Sequence, residues 1–310
     1  MKKKWVVWIS YVVLLLSFLF IIQKFRQYTI NLSGLFTVRI GIMVGVCALL
    51  YGCTVIMSSV VYQALYRSFS KDYIPPQRIM YVYLQSNLYR YLPGNVLHYL
   101  GRNQLATEYK VSHTTVAGVT ILEILTLVCS CMAASLVFTF KDAINLLQRI
   151  PPLIIIIGAV VLVTAVACLF FLKTPQRWIH KHFASLSRKG LLITGTAVAH
   201  RFISFLLFGL IFGTLLQLTT GPLQQDQWPQ IIGRYALCWF VGFITPGAPG
   251  GIGVRESLLI ILFSGVYGES AIIRTALLMR IATILGDVIA FGVASITFNS
   301  KHNTTMEDRS

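Results

Sequence analysis

The segment Pro246-Gly247-Ala248-Pro249-Gly250-Gly251-Ile252-Gly253-Val254-Arg255-Glu256 sets two prolines and four glycines directly before an arginine and a carboxylate. Such a run cannot continue a helix, because proline removes a backbone donor and glycine costs helical stability. A helix entering from Tyr235 is expected to stop near Thr245, and a new one to start after Gly253. The start of that helix offers unpaired N–H groups and a partial positive charge. Arg255, in its first turn, adds a full charge, and the combination is a candidate seat for a phosphate. The plainer alternative is a structural Gly/Pro loop at a membrane surface.

A weaker echo of this pattern occurs earlier. Arg90-Tyr91-Leu92-Pro93-Gly94-Asn95 is followed by Gly101-Arg102. In both places a Pro-Gly break precedes a glycine and an arginine by several residues, and an apolar stretch with ionisable groups comes next. The first such stretch carries Glu123; the second carries Arg280 and Asp287. A charge at mid-bilayer costs at least about 2.5 kcal/mol on insertion scales, so these side chains are expected to face a shared polar cavity. Arg280 and Asp287 stand seven apart and so face one side of a helix. The candidate substrate-binding residues are therefore Arg90, Arg102, Glu123, Arg255, Glu256, Arg280 and Asp287. The candidate structural loop residues are Pro93, Gly94, Pro246, Gly247, Pro249, Gly250, Gly251 and Gly253. Structural ion pairing is the alternative for any one of the charges. Arg201 and Arg234 read as snorkelling residues near the interface.

No nucleophile-base-orienter set stands out, and His180 and His182 have no third ligand nearby. No metal, cofactor or catalytic residue is expected. Cys47, Cys53, Cys129, Cys131, Cys168 and Cys238 all lie in apolar stretches and read as packing residues.

The elements that must position these residues are membrane spans. Charged residues are 12% of the 310, against about 25% in soluble domains. Runs near 5–22, 41–62, 114–139, 151–172, 191–217 and 271–297 are long and apolar enough to cross a bilayer. The stretches 79–110 and 231–266 are apolar but broken by Pro, Gly and Arg. With the N-terminus inside, and each broken stretch entering and leaving on one face, loops assigned inside hold thirteen Lys and Arg against five outside. That bias fits the positive-inside rule and puts both termini in the cytoplasm. The first run, from Trp5, is expected to be an uncleaved signal anchor. Basic residues beside apolar runs explain the net charge of +16 as membrane orientation, and no nucleic-acid partner is expected.

The expected fold is an all-α polytopic membrane protein with about six full spans plus two re-entrant helical hairpins in an inverted repeat. It forms one transmembrane domain over 1–298, with half-repeats of about 1–140 and 150–298, and a short cytoplasmic tail over 299–310. Each half reads span, span, broken hairpin, span. Inverted repeats of this kind hold the substrate at the repeat interface.

Pro249 to Glu256, Pro-Gly-Gly-Ile-Gly-Val-Arg-Glu, resembles the signature of the lysylphosphatidylglycerol synthase transmembrane-region family. Arg90 to Asn95, then Gly101-Arg102 and Glu123, resembles the family's first-half pattern, and the likeness runs from about Trp5 to Phe298. The family includes the flippase domain of the bacterial multiple peptide resistance factor. The resemblance implies movement of an anionic or zwitterionic amphiphilic lipid across the cytoplasmic membrane. An aminoacylated phospholipid or a lipid-linked sugar would be such a substrate. In the resistance factor a soluble C-terminal domain makes the aminoacyl lipid, and this chain is expected to lack one. A separate lipid-modifying enzyme is then a candidate partner, and the chain itself is expected to be a transporter, not an enzyme. The second expectation is a membrane-embedded glycosyltransferase, or an accessory protein of lipid-linked glycan assembly.

Overall fold

The structure is a computed structural model and describes residues 37–69, 74–91, 97–108, 113–140, 188–245, 251 and 253–307. The expected spans at 5–22 and 151–172, and the loop residues Pro93, Gly94, Pro246, Gly247, Pro249 and Gly250, lie outside the described residues. The described residues are all-helical. They form α1 (Val38–Phe69), α2 (Pro76–Leu88), a 3-10 turn (Tyr89–Tyr91), α3 (Leu97–Glu108), α4 (His113–Thr139), α5 (Arg188–Thr220), α6 (Gln227–Ile244), α7 (Val254–Tyr267) and α8 (Glu269–Glu307).

Among them, Val38–Ser68, Thr115–Thr139, Gly190–Thr220 and Glu269–Thr297 are long and apolar enough to cross a membrane. Their outward faces carry large apolar side chains such as Ile42, Leu49, Met57, Leu136, Ile203 and Val288. A water-soluble monomer does not expose so much apolar side-chain surface on long apolar helices, whereas a helix bundle in lipid does. The protein is a helical membrane protein.

Both expected breaks interrupt the helices. α6 ends where the Thr245 N–H bonds to the Val241 carbonyl, and α7 begins directly after Gly253. Gly253 has φ +85°, a conformation a side chain would strain, and its N–H donates to Glu256 Oε2 at 2.7 Å. Glu256 thus caps its own helix. α2 opens on Pro75-Pro76, with proline at the first helical position where its missing donor costs nothing.

The packing has an internal correspondence. Matching α1 to α5, α2 to α6, α3 to α7 and α4 to α8 sends every principal contact between α-helices onto another. α1 packs on α8 as α5 packs on α4, and α2 packs on α8 as α6 packs on α4. The pairs α1–α2, α1–α4, α2–α3 and α3–α4 match α5–α6, α5–α8, α6–α7 and α7–α8, while α1 and α5 contact each other. α1 crosses α8 closely at Gly52 and Gly286. A Cβ added at Gly286 would lie 2.6 Å from the Ala48 carbonyl oxygen, so only glycine permits that approach.

Candidate functional site

The ionic residues come together between these helices. Arg102 of α3 is 1% exposed at its side chain and donates to Glu123 Oε2 of α4 at 2.5 Å. Its Nε donates to Ser86 Oγ of α2 at 3.1 Å. Its guanidinium lies over the rings of Tyr83, Tyr62 and Tyr99, at 4.3, 4.7 and 5.6 Å from their centroids. The aromatic faces and the carboxylate together replace the hydration this charge has lost.

Glu123 accepts from three side chains. Its Oε1 accepts from the Tyr83 hydroxyl at 2.8 Å and from Arg201 Nη2 of α5 at 2.5 Å. Arg201 was expected to snorkel towards an interface; instead its side chain is 12% exposed and turns inward to Glu123. Its position explains this, for it stands well inside α5 and too far from either end for its stem to reach the surface. Arg201 also donates to Tyr83 Oη and, at 3.3 Å, to Ser58 Oγ. Ser58 gives its own proton to the Thr54 carbonyl, so His200 Nε2, 3.1 Å away, must be the donor in its contact with Ser58.

The corresponding pair in the second half has its charges exchanged. Glu256 stands on α7, where α3 carries Arg102, and Arg280 stands on α8, where α4 carries Glu123. Arg280 Nε donates to Glu256 Oε1 at 2.8 Å. A third pair joins the halves. Arg90, on the 3-10 turn, lies 3.6 Å from Asp287 of α8 and donates to the Tyr51 hydroxyl of α1 at 3.0 Å.

Arg255 differs from the other four arginines. It forms no hydrogen bond or ion pair with the described residues, and its Nε is buried without a partner. Its guanidinium stands 5.6 Å from the Trp239 ring centroid, on α6. Gly242 and Gly251 bring it there. A Cβ on Gly242 would come 3.3 Å from Arg255 Cβ and 3.4 Å from Gly251 Cα, so α6 and the start of α7 meet closely only because both glycines are bare.

Arg90, Arg102, Arg201, Arg255 and Arg280 all line one cavity of about 110 Å³, as does Glu123. That volume holds a small polar group and several waters. Arg102 and Arg255 reach it from the two broken helix pairs. One wall is aromatic: Trp239 stacks on Phe243 at 5.3 Å, and Phe205 meets Trp239 edge-on at 5.0 Å. Glu256 and Asp287 were expected to line the cavity as well. They are not among its lining residues, and pair instead with Arg280 and Arg90, which are.

No protein-family model matches the chain, and no curated protein matches it either.

Four further contributors gave no signal of their own in the sequence: Tyr51, Tyr83, Tyr99 and Trp239. Aromatic residues are common in apolar helices, and only their contacts with the arginines single them out. Arg201 could have been found from its depth within its span. The cavity can hold an anion, orient it by hydrogen bonds from guanidinium groups, and give an apolar surface to whatever the anion is attached to.

Proposed function

We propose that the protein moves an anionic or zwitterionic amphiphilic lipid between leaflets of the cytoplasmic membrane, with both termini inside. In this reading α2–α3 and α6–α7 are re-entrant hairpins of an inverted repeat, and each delivers an arginine to the site where the lipid head group crosses. The observation that carries the reading is the convergence of Arg102 and Arg255, one from each broken helix pair, on a single cavity among four candidate spans. Charge at that depth is costly unless it serves a polar passenger or a partner. Irregular backbone is tolerated there only when lined by protein or water. The two-fold correspondence of helix contacts and the resemblance to the lysylphosphatidylglycerol synthase transmembrane-region family support the same reading.

Glycosyl transfer would need a carboxylate able to act as base. The carboxylates at this cavity are each engaged by an arginine, which favours transport over transfer.

The test is leaflet exchange in vesicles. Purified protein reconstituted with fluorescent phospholipids should make inner-leaflet label accessible to a membrane-impermeant quencher, faster than protein-free vesicles do. Equal rates with and without protein for phosphatidylglycerol, its aminoacyl esters and a polyprenyl-phosphate sugar would overturn the proposal.

A further inference from the structure

The pairing of charges around the cavity limits what head group it accepts. Among the described residues five arginines face it, and three carboxylates line it or pair with those arginines, leaving an excess of two positive charges. Each carboxylate is held by guanidinium. Glu123 is bound by both Arg102 and Arg201, Glu256 by Arg280 and its own helix start, and Asp287 by Arg90. Arg255 forms no ion pair with the described residues, and its Nε is buried without a hydrogen bond from them.

We infer that the cavity selects a lipid head group of net negative charge and discriminates against one bearing an ammonium. The inference rests on the translocator reading for its lipid, but not for its sign of charge. An unmodified phosphodiester or a phosphate-linked sugar supplies the anion that Arg255 lacks. An aminoacyl ester adds at least one ammonium to the same phosphate, and among the described residues that ammonium meets no carboxylate at the cavity without competing with an arginine already paired to it. Removing one partner of a buried pair leaves an uncompensated charge, which is the costly outcome. The aromatic wall gives no second route. The Trp239 face that could receive a cation lies under the Arg255 guanidinium, and a second cation there would be repelled. Of the chain's other acidic residues, Asp72, Asp142 and Asp308 lie outside the described residues. Asp226 and Glu269 stand at the start of α6 and α8, away from the cavity.

This preference is the reverse of what an aminoacyl-phosphatidylglycerol carrier would need. The neutral or cationic ester would be a poor ligand for a site with two unmatched positive charges.

Two measurements on the full-length protein separate the charge preference from transport. The first is equilibrium binding in nanodiscs of a neutral lipid, titrated with short-chain phosphatidylglycerol, its lysyl ester, or phosphatidylcholine. Phosphatidylglycerol should bind at least about tenfold tighter than the lysyl ester, whose two ammonium groups turn the head group from net negative to net positive near an excess of like charge. In Arg255→Gln the gap should shrink, because the excess falls from two charges to one. Equal or tighter binding of the lysyl ester by wild type overturns the inference, as does the absence of binding by any of the three. The second is leaflet exchange of the same lipids. Exchange with no charge preference removes the inference and leaves the translocator; charge-selective binding without exchange leaves the inference and removes the translocator.

Discussion

Arg255 and Glu123 define the two electrostatic situations in this cavity. Arg255 sits without an ion-pair partner beside Trp239, ready for a ligand. Replacing it with alanine removes a charge-assisted contact worth about 1.5–3 kcal/mol, so lipid exchange should fall by roughly ten- to hundredfold while the folded protein is retained. Arg255→Lys should restore part of the rate, since an ammonium keeps the charge but not the two-pronged hydrogen bonding. Wild-type exchange by reconstituted Arg255→Ala would exclude it as the anion seat. Glu123 is the opposite case, a carboxylate shared by two arginines and a tyrosine hydroxyl. Glu123→Gln leaves Arg102 and Arg201 buried without their counter-charge. It should cost about 3–5 kcal/mol and lower the thermal midpoint in detergent well before any effect on transport is considered. A midpoint equal to that of wild type would mean that the cluster has other counter-charges.

At the scale of elements, the site depends on two places where helices approach through bare backbone. At the α1–α8 crossing, a side chain on Gly286 would run into the Ala48 carbonyl, beside the Tyr51 ring. Tyr51 in turn receives the hydrogen bond from Arg90. Gly286→Val should therefore push the helices apart, destabilise the protein by about 1–3 kcal/mol, and loosen the Arg90–Asp287 pair. Thermal unfolding, read beside solvent accessibility of a cysteine placed at Thr283, would check both effects. An unchanged midpoint with an inaccessible cysteine would mean that the crossing tolerates bulk. The breaks before α3 and α7 were legible as breaks because proline and glycine act on local backbone alone. The end of α6 at Ile244 and the start of α7 at Val254 fall where Pro246 to Gly253 require them. The partners of Arg102 and Arg280 were not legible, because Ser86, Glu123 and Glu256 lie 16, 21 and 24 residues from them and on other helices.

For the whole molecule, the charge bias across loops predicts a topology that labelling can read. Both termini and the 173–190 loop should face the cytoplasm. A cysteine at Ser187 should resist an impermeant reagent in intact cells and react in inverted vesicles; labelling in intact cells would remove the inverted-repeat arrangement. Composition and local breaks determined the class of the molecule and the rough limits of the helices among the described residues. Hydropathy is a property of each segment, and so are the helix-stopping effects of Pro246 and Gly253. They also nominated the ionisable residues, because the penalty for charge in lipid applies to each one separately. What they could not give was the assignment of partners. The depth of Arg201 within its span argued against its reaching an interface, but that Glu123 is its partner follows only from the packing of α5 against α4. Asp287 had the signature of a lining residue, yet it is paired with Arg90, and of the two only Arg90 lines the cavity. Which arginine is left without a carboxylate is set by how the helices cross, since electrostatic pairing depends on distances between segments and these exist only once the chain is packed.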